Sequence, residues 1–479
     1  VMAKEGKERK RKRMEHAKVP ARRTLDDEGD EEIRSWRQTS GGNANGSSKS
    51  GDKNKQTKSD DGGPGATKYS RGDKNVIRKI KDKKLKMQIK RSERDIREAA
   101  AKAARAEILL PAEAGHLEAE GMEKTHRFQQ KDIKQAVDIG SSKKIYTLRL
   151  EEFGPYSFDY SRSGRYLLLG GKLGHLAVCD LLLGNAMCEV HAKETVRDVS
   201  FLHNESLFAT AQKKYVYIYD NQGLEIHCLR NHMEINKLGF LQHHFLLATV
   251  GNAGILRYQD VSTGALLAEY PTKLGRCDVL RINPHNAVSL LGHTNGTVTM
   301  WTPSMSSPVV KLFCHRAPLS AMACEIKGTY LATAGLDGMV NIWDLRTYKK
   351  LHSYSSSSPA CSLDISQRGI LSVGFGTHVE LWKDALSERA TSPYMTHHTK
   401  GMRVKDVYFR PFEDVLGISH SHGFSSILVP GSGEPNFDSF EANPFQNKKQ
   451  RREAEIHALL EKLDPDMISL NPNFIGNVD

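Results

Sequence analysis

Three arrangements in this sequence bring together side chains able to do chemistry. His420-Ser-His422 puts two imidazoles on one strand face, a spacing from which two ring nitrogens can reach one metal ion. His243-His244 and His397-His398 are adjacent pairs in segments that read as loops. His315 and Asp337 could join a base to a carboxylate, as proton transfer requires. None of the three is completed. No acidic or thiol partner lies near His420 and His422 in the sequence, so they read as ordinary rim histidines, and the other pairs read the same way. The cysteines (Cys179, Cys188, Cys228, Cys277, Cys314, Cys324 and Cys361) are odd in number and scattered, with no C-x-x-C pair. That fits reduced thiols in a cytosolic or nuclear compartment rather than a disulfide frame or a zinc cage. There is no G-x-S-x-G elbow, no G-x-x-x-x-G-K-[ST] phosphate loop and no H-E-x-x-H. The expectation is therefore no catalytic residue, no cofactor, no metal and no small-molecule substrate. An enzyme would need a site assembled across loops.

Charge is what the sequence does concentrate. Of 479 residues, the first 140 hold 35 Lys/Arg against 24 Asp/Glu, while the remaining 339 hold 34 against 33. Of the 35 aromatics, only Trp36, Tyr69 and Phe128 precede residue 141. A basic segment too poor in apolar residues to build a core thus precedes a nearly neutral domain that can. No stretch approaches ~20 consecutive apolar residues, so no bilayer-spanning helix is expected, and Val1 to Lys18 is too charged for a secretory signal.

Within the basic segment, residues 1–72 read as a largely disordered tail. They include the run Arg9, Lys10, Arg11, Lys12 and Arg13, the composition of a nuclear-import signal or a nucleic-acid patch. From Asp73 to Leu110 there is neither Gly nor Pro, and helix formers dominate. Asp73 can cap a helix that Pro111 ends, which predicts one long basic helix over 73–110. Residues 66–110 carry 15 Lys/Arg against 6 Asp/Glu, an excess too large to be self-paired through contacts such as Glu93–Arg97. Its apolar residues are sparse and not cleanly striped. The expectation is a rod laid against RNA phosphates or an acidic groove, followed by a linker over 111–140.

The neutral domain repeats. Cys179-Asp180, Tyr219-Asp220, Gln259-Asp260, Trp301-Thr302, Trp343-Asp344 and Trp382-Lys383 follow one another at steps of 40, 40, 42, 42 and 39 residues. Each closes a short strand, which is preceded by a tight turn and another apolar strand. Gly184, Gly223 and Gly264 mark a further turn and a fourth strand. Four hairpin-linked strands per ~40 residues make a propeller blade.

This pattern resembles the WD-repeat family. The clearest unit is Leu331-Ala-Thr-Ala-Gly-Leu-Asp-Gly-Met-Val-Asn-Ile-Trp-Asp-Leu345. The resemblance implies that His315, Thr333, Asp337 and Trp343 form the family's hydrogen-bonded structural tetrad, and that His315–Asp337 is a brace rather than an acid–base pair. Only three of the six pairs contain Trp, and only four contain Asp. Residues 404–429 supply three more strands, and residues 143–150 a lone one with Tyr146, Leu148 and Leu150 on one face. If that strand joins those three, a seven-bladed ring closes over residues 141–430 and its open edges are paired. The expected architecture is all-β: a seven-bladed WD-repeat propeller with a basic helical N-terminal extension and an extended and helical tail over 431–479. In that tail, a helix over 448–463 carries Ile456, Leu459, Leu460 and Leu463 as a stripe.

A narrower resemblance lies in Met402-Arg-Val-Lys-Asp-Val-Tyr-Phe-Arg-Pro-Phe412, Pro430-Gly-Ser-Gly-Glu-Pro-Asn-Phe-Asp438, Asn443-Pro-Phe445 and the Lys-Lys-Gln-Arg-Arg-Glu helix. These resemble the C-terminal domain of a nucleolar WD-repeat family of the small-subunit processome, the particle built on U3 small nucleolar RNA and the ribosomal RNA precursor. The resemblance implies a non-catalytic scaffold subunit in nucleus and nucleolus, with both RNAs and other processome proteins as partners and no membrane. Candidate phosphate contacts are Arg9 to Arg13 together with Lys79, Lys81, Lys83, Lys84, Lys86, Lys90, Arg91, Arg94 and Arg97. The alternative is a WD-repeat adaptor, for example a ubiquitin-ligase substrate receptor, that works without RNA.

Overall fold

The computed structural model describes residues 80–106, 114–121, 123–437 and 442–472. The chain divides into two units, residues 1–108 and 109–479. The first contributes one described helix, α1 (Lys83–Ala106). The second contains seven four-stranded antiparallel sheets, which are the blades of a propeller.

Six sheets are built from consecutive strands: blade 1 spans residues 156–191, blade 2 residues 196–229, blade 3 residues 235–271, blade 4 residues 277–313, blade 5 residues 319–355 and blade 6 residues 362–398. Blade 1, for example, runs Tyr156–Tyr160, Tyr166–Gly171, His175–Asp180 and Asn185–His191 from the channel outward. In three of the four repeat pairs that contain Asp, this residue ends a third strand and organises the next turn. Asp180 Oδ1 accepts from Leu182 N at 2.9 Å, Asp260 Oδ1 from Ser262 N at 2.9 Å, and Asp344 Oδ1 from Arg346 N at 2.9 Å. A side-chain acceptor two residues back fixes the turn that starts the fourth strand.

The seventh blade is made from both ends of the domain. The strands Val404–Phe409, Val415–His420 and Gly423–Leu428 pair in order, and the strand Tyr146–Arg149 adds antiparallel to the last of them. Leu148 lies opposite Phe424, and Tyr146 opposite Ser426. Phe424 is fully buried, with ring centroids 6.1 Å from Tyr146 and 5.0 Å from Phe158 of blade 1. One aromatic therefore joins the closing strand to the first blade.

Each blade exposes the open edge of its inner strand to the channel, and the neighbouring blade satisfies it. Asp159 Oδ2 accepts from Phe201 N (2.9 Å), Asp198 Oδ2 from Leu238 N (2.9 Å) and Asp364 Oδ2 from Phe409 N (2.7 Å). Arg281 donates to the carbonyls of Met322 at 3.0 Å and Leu363 at 3.3 Å, and its guanidinium lies 4.5 Å over the Tyr408 ring. Lys405 Nζ reaches Ser157 Oγ at 2.5 Å, across the junction of blades 7 and 1. Bulges in the inner strands, between Val196 and Asp198, Ile235 and Lys237, and Cys277 and Val279, re-aim the residue between. Those three residues join: Arg197 donates to Asn236 Oδ1 and Asn236 to Asp278 Oδ1, each at 2.9 Å.

The segments flanking the ring differ from the sequence reading. Residues 111–140 read as a linker, yet the described part packs on the ring. α2 (Gln130–Ala136) sits against blade 7, with Ile133 buried in that blade's core. The Gln130 amide donates to Leu428 O at 2.8 Å and accepts from Leu428 N at 2.9 Å, standing in for a strand backbone. α3 (Ile139–Ser142) leads into the closing strand. The predicted helix over 448–463 ends earlier, with α4 at Lys448–Leu460. It is held by its polar side: Arg451 pairs with Glu205 at 2.6 Å, and Glu455 with His203 at 3.2 Å. Ile456, Leu459, Leu460 and Leu463 instead remain exposed. Beyond it, Lys462 pairs with Asp260 at 2.5 Å, Leu470 O accepts from Asn286, and Ile468 is buried in the core of blades 3 to 5.

In an antiparallel blade, the first and third hairpin turns lie on one face of the ring; the second turns and the blade-to-blade connections lie on the other. Tyr394, Glu413, Arg165, Glu205, Asp260 and Asn286, which hold the two arms, all belong to the hairpin-turn face or its rim.

Because Phe424 links the two ends of the domain, Phe424→Ala should cost about 3–5 kcal/mol, the range for a fully buried aromatic. A chain lacking residues 143–150 should expose the 423–428 edge and self-associate. Urea unfolding midpoints and light scattering measure these two effects.

Candidate nucleic-acid interface

α1 holds nine Lys/Arg against three Asp/Glu. It starts later than the sequence predicted. Ile80, Lys81 and Asp82 are not helical, and Asp82 is the cap: its Oδ1 accepts from Lys84 N at 2.9 Å, and its carbonyl from Lys86 N at 3.0 Å. A carboxylate at this position satisfies an otherwise orphaned N–H and suits the positive end of the helix. Sequence alone does not separate Asp82 from Asp73 as the cap, because both sit in one unbroken Gly- and Pro-free run. Residues 107–113 lie outside the described ones, so the expected stop at Pro111 does too.

Lys83, Lys84, Lys86, Lys90, Arg91, Arg94 and Arg97 are all exposed on α1, and Lys81 is exposed just before it. Arg94 faces Glu98 at 3.8 Å and Asp95 at 3.9 Å; these are the helix's pairs, and Glu93–Arg97 is not one of them. Both are solvent-screened contacts worth little. Lys83, Lys84, Lys86, Lys90, Arg91, Arg97 and Lys102 have no carboxylate partner among the described residues. Ile89, Glu93, Ile96, Ala100 and Ala103 form one line of lower exposure at steps of four, three, four and three, a stripe the sequence reading did not resolve. Arg9, Lys10, Arg11, Lys12, Arg13 and Lys79 lie outside the described residues.

In the propeller, the four residues His315, Thr333, Asp337 and Trp343 lie in one chain of contacts. His315 Nδ1 is 3.2 Å from both Asp337 oxygens, His315 Nε2 is 2.9 Å from Thr333 Oγ1, and Trp343 Nε1 donates to Thr333 Oγ1 at 3.1 Å. The arrangement is satisfied with the proton on Nδ1: Asp337 accepts it, and Nε2 accepts the threonine hydroxyl. Other blades build the same kind of brace from different residues. Blade 3 uses His232 with Thr249 (2.7 Å) and Gln259 (2.5 Å). Blade 4 uses His293 with Thr299 (2.6 Å) and Trp301 on the same hydroxyl (2.8 Å). Blade 2 joins Gln212 to Tyr219 (2.7 Å). Changed residue types at these positions explain why only one unit reads clearly as a repeat.

The structure places the histidine pairs differently from the sequence reading. His420 is not on the rim; it is fully buried, with Nε2 2.9 Å from Ser425 Oγ. His397 and His398 lie in the strand Met395–His398 rather than a loop, and His244 is buried in a short turn at Gln242–His244. Among the described residues, no three His, Cys, Asp or Glu side chains converge as metal ligands would. Burial pushes the thiols of Cys277, Cys314 and Cys324 up to about 12, so they stay protonated and unreactive. The channel holds a cavity of about 260 Å³ lined by Asp159, Asp198, Lys237, Arg281 and Asp406. Four of these charges are committed to blade junctions, as when Lys237 pairs with Asp198 at 3.0 Å, while Asp406 Oδ2 is buried without a hydrogen-bond partner.

Comparison with known proteins places this architecture. Residues 393–471 match the BING4CT (NUC141) domain, and residues 306–344 match the WD domain, G-beta repeat. U3 small nucleolar RNA-associated protein 7 of Saccharomyces cerevisiae is 44% identical over 428 residues, covering 86% of this chain and 77% of that protein. WD repeat-containing protein 46 is 46% identical in mouse and in human, covering 86% of this chain and 67% and 68% of those proteins. The chain belongs to this WD-repeat family. The BING4CT match begins just before the outer strand of blade 6, takes in the three C-terminal strands of blade 7, and ends where the tail meets blade 4. The family-specific region is thus the ring's closure and the arm that crosses its hairpin-turn face.

Burial sets a pH dependence. His232, His244, His293 and His420 are lowered to about 4, so each favours the folded state above the free-imidazole value of 6.5 and loses that contribution as pH falls toward 4. Asp159 and Asp364 are raised to about 6 by burial, despite their backbone hydrogen bonds, so they act oppositely and favour folding below that value. Four groups outweigh two. The melting temperature should fall between pH 6.5 and 4. Asp159→Asn/Asp364→Asn should be more stable than the parent at pH 7 and converge with it near pH 4, as scanning calorimetry will read.

Proposed function

We propose that this protein is a structural, non-catalytic subunit of the small-subunit processome, serving ribosomal RNA precursor processing in the nucleolus. The observation that carries this reading is the 44% identity, over 86% of this chain, to a protein named for its association with U3 small nucleolar RNA. The exposed, largely unpaired cations of α1 support it, because phosphate neutralisation needs charge on an accessible surface and no base-specific groove. In this reading Arg9, Lys10, Arg11, Lys12, Arg13, Lys79, Lys81 and the α1 cations contact the phosphates of U3 RNA or the ribosomal precursor. The ring supplies surfaces for other processome proteins. Its chemistry is positioning, consistent with side chains spent on braces and junctions.

A protein-adaptor reading draws on one observation, the exposed Ile456, Leu459, Leu460 and Leu463 on and just beyond α4. Nuclease treatment separates the two. A scaffold held through RNA leaves the large particle when the RNA is digested, whereas an adaptor stays on its protein partner.

Charge reversal at Lys83, Lys84, Arg91 and Arg94 should reduce co-sedimentation with pre-ribosomal particles about tenfold or more, without changing the propeller's melting temperature. Each phosphate left without its cation should flatten the salt dependence of RNA binding by ~0.7 in log–log slope. Undiminished sedimentation of the variant would overturn the assignment of α1.

A further inference from the structure

The two faces of the ring carry different charge, and the difference is sharpest over blades 2 to 5. On the face opposite the arms, the connecting loops 213–215, 230–234, 272–276 and 314–318 contain Lys213, Lys214, Arg230, Lys273, Arg276 and Arg316. The single carboxylate in those loops is Glu234, and it already accepts from Asn252 Nδ2 at 3.2 Å. Of the three remaining turns of that arc, 252–254 and 294–296 hold no charge, and 336–338 holds Asp337, which His315 already engages at 3.2 Å. All six cations are exposed. Arg276 pairs with Asp278 at 2.7 Å, and Lys214 lies 5.0 Å over the Tyr215 ring; the other four have no acidic partner among the described residues. On the hairpin-turn face of the same blades, turns 202–206, 325–329 and 345–348 balance Glu205 and Glu325 with Lys327 and Arg346. Glu205 is already paired with α4.

We infer that this arc, running over the blade 2 to blade 5 connections, is a second RNA-binding surface that contacts the phosphodiester backbone. Fold topology, not sequence proximity, gathers it. The six residues come from four loops spread over two and a half repeats, each held on a short, rigid turn. The arms' polar contacts among the described residues, such as Arg451–Glu205, Lys462–Asp260 and Asn286–Leu470, fall on the other face. An RNA strand fits better than an acidic protein. Protein partners are anchored by buried aromatic or aliphatic side chains, and among the described residues the arc's loops expose two large apolar side chains, Met233 and Leu336, on connections of different blades. Phosphate contacts need only accessible cations at intervals, and an unsatisfied positive surface raises the local concentration of a polyanion. The inference does not rest on the role given to α1, since neither its residues nor its charges enter.

The test uses the full chain. Lys213→Glu, Lys214→Glu, Arg230→Glu and Arg316→Glu are combined in one variant, and binding to a fluorescein-labelled 30-nucleotide RNA of mixed sequence is followed by anisotropy from low to physiological salt. The expected result is at least a tenfold loss of affinity and a log–log salt slope flattened by ~2–3, one increment of ~0.7 for each phosphate no longer neutralised. The α1 reversal, made separately, should add its own loss, so failure of either surface is visible alone. Ultraviolet crosslinking of the unaltered protein to the same RNA gives a second readout, free of any folding effect. Crosslinked peptides should include Tyr215 and the 230–234 or 314–318 loops. Unchanged affinity and slope in a folded variant, or crosslinks confined to residues before 109, would overturn the inference. So would a partner protein that still binds after RNA digestion and no longer binds on charge reversal.

Discussion

The ring depends on satisfying the inner edge of every blade. A four-stranded sheet has two open edges, and the one facing the channel leaves backbone N–H and C=O groups with no strand to pair. Here side chains of other blades answer: Asp159, Asp198 and Asp364 accept N–H groups of the next blade, and Arg281 donates to carbonyls of the next blade and of the one beyond it. Each junction is thus a hydrogen-bonded seam rather than an apolar contact alone. That is why the channel is lined by charge yet offers little to a ligand. It is also why Asp159 and Asp364 stay buried at the cost of a raised pKa.

Blade 7 is the one blade assembled from both ends of the domain. The strand Tyr146–Arg149 closes the sheet begun by residues 404–428, so the domain's two ends are locked to each other through Phe424 and Phe158. The same stretch of chain that completes the ring continues as the arm crossing the hairpin-turn face, anchored by Arg451, Glu455 and Lys462. The BING4CT match, over residues 393–471, covers the three C-terminal strands of blade 7 and this arm, not the closing strand. Among the described residues, the arms' contacts lie on this one face.

The braces within the blades show how one structural task tolerates several chemistries. His315 with Thr333 and Trp343, His232 with Thr249 and Gln259, and Gln212 with Tyr219 all tie a turn to a strand through buried polar atoms. Since each is satisfied internally, none is left over for catalysis or metal binding.

The amino-acid sequence by itself determined the repeat, the number of blades, the closing strand and the basic helix, because these rest on local signals: alternation, turn residues and charge density at fixed spacing. It also determined where the charge lies, in the N-terminal segment rather than the ring as a whole. Other features were decided only by the tertiary structure. Gln130 and Ile133 looked like linker residues until blade 7 gave them a strand end and a core to meet. His420 looked like a rim residue until the sheet buried it. The stripe on α4 looked like a packing face, but Arg451 and Glu455 hold the helix by its other side. Lys213, Arg230 and Arg316 are far apart in the sequence and become neighbouring elements of one surface only when the blades close into a circle. Pairing across a junction and exposure on a face are properties of two segments at once, and a linear pattern records them one at a time.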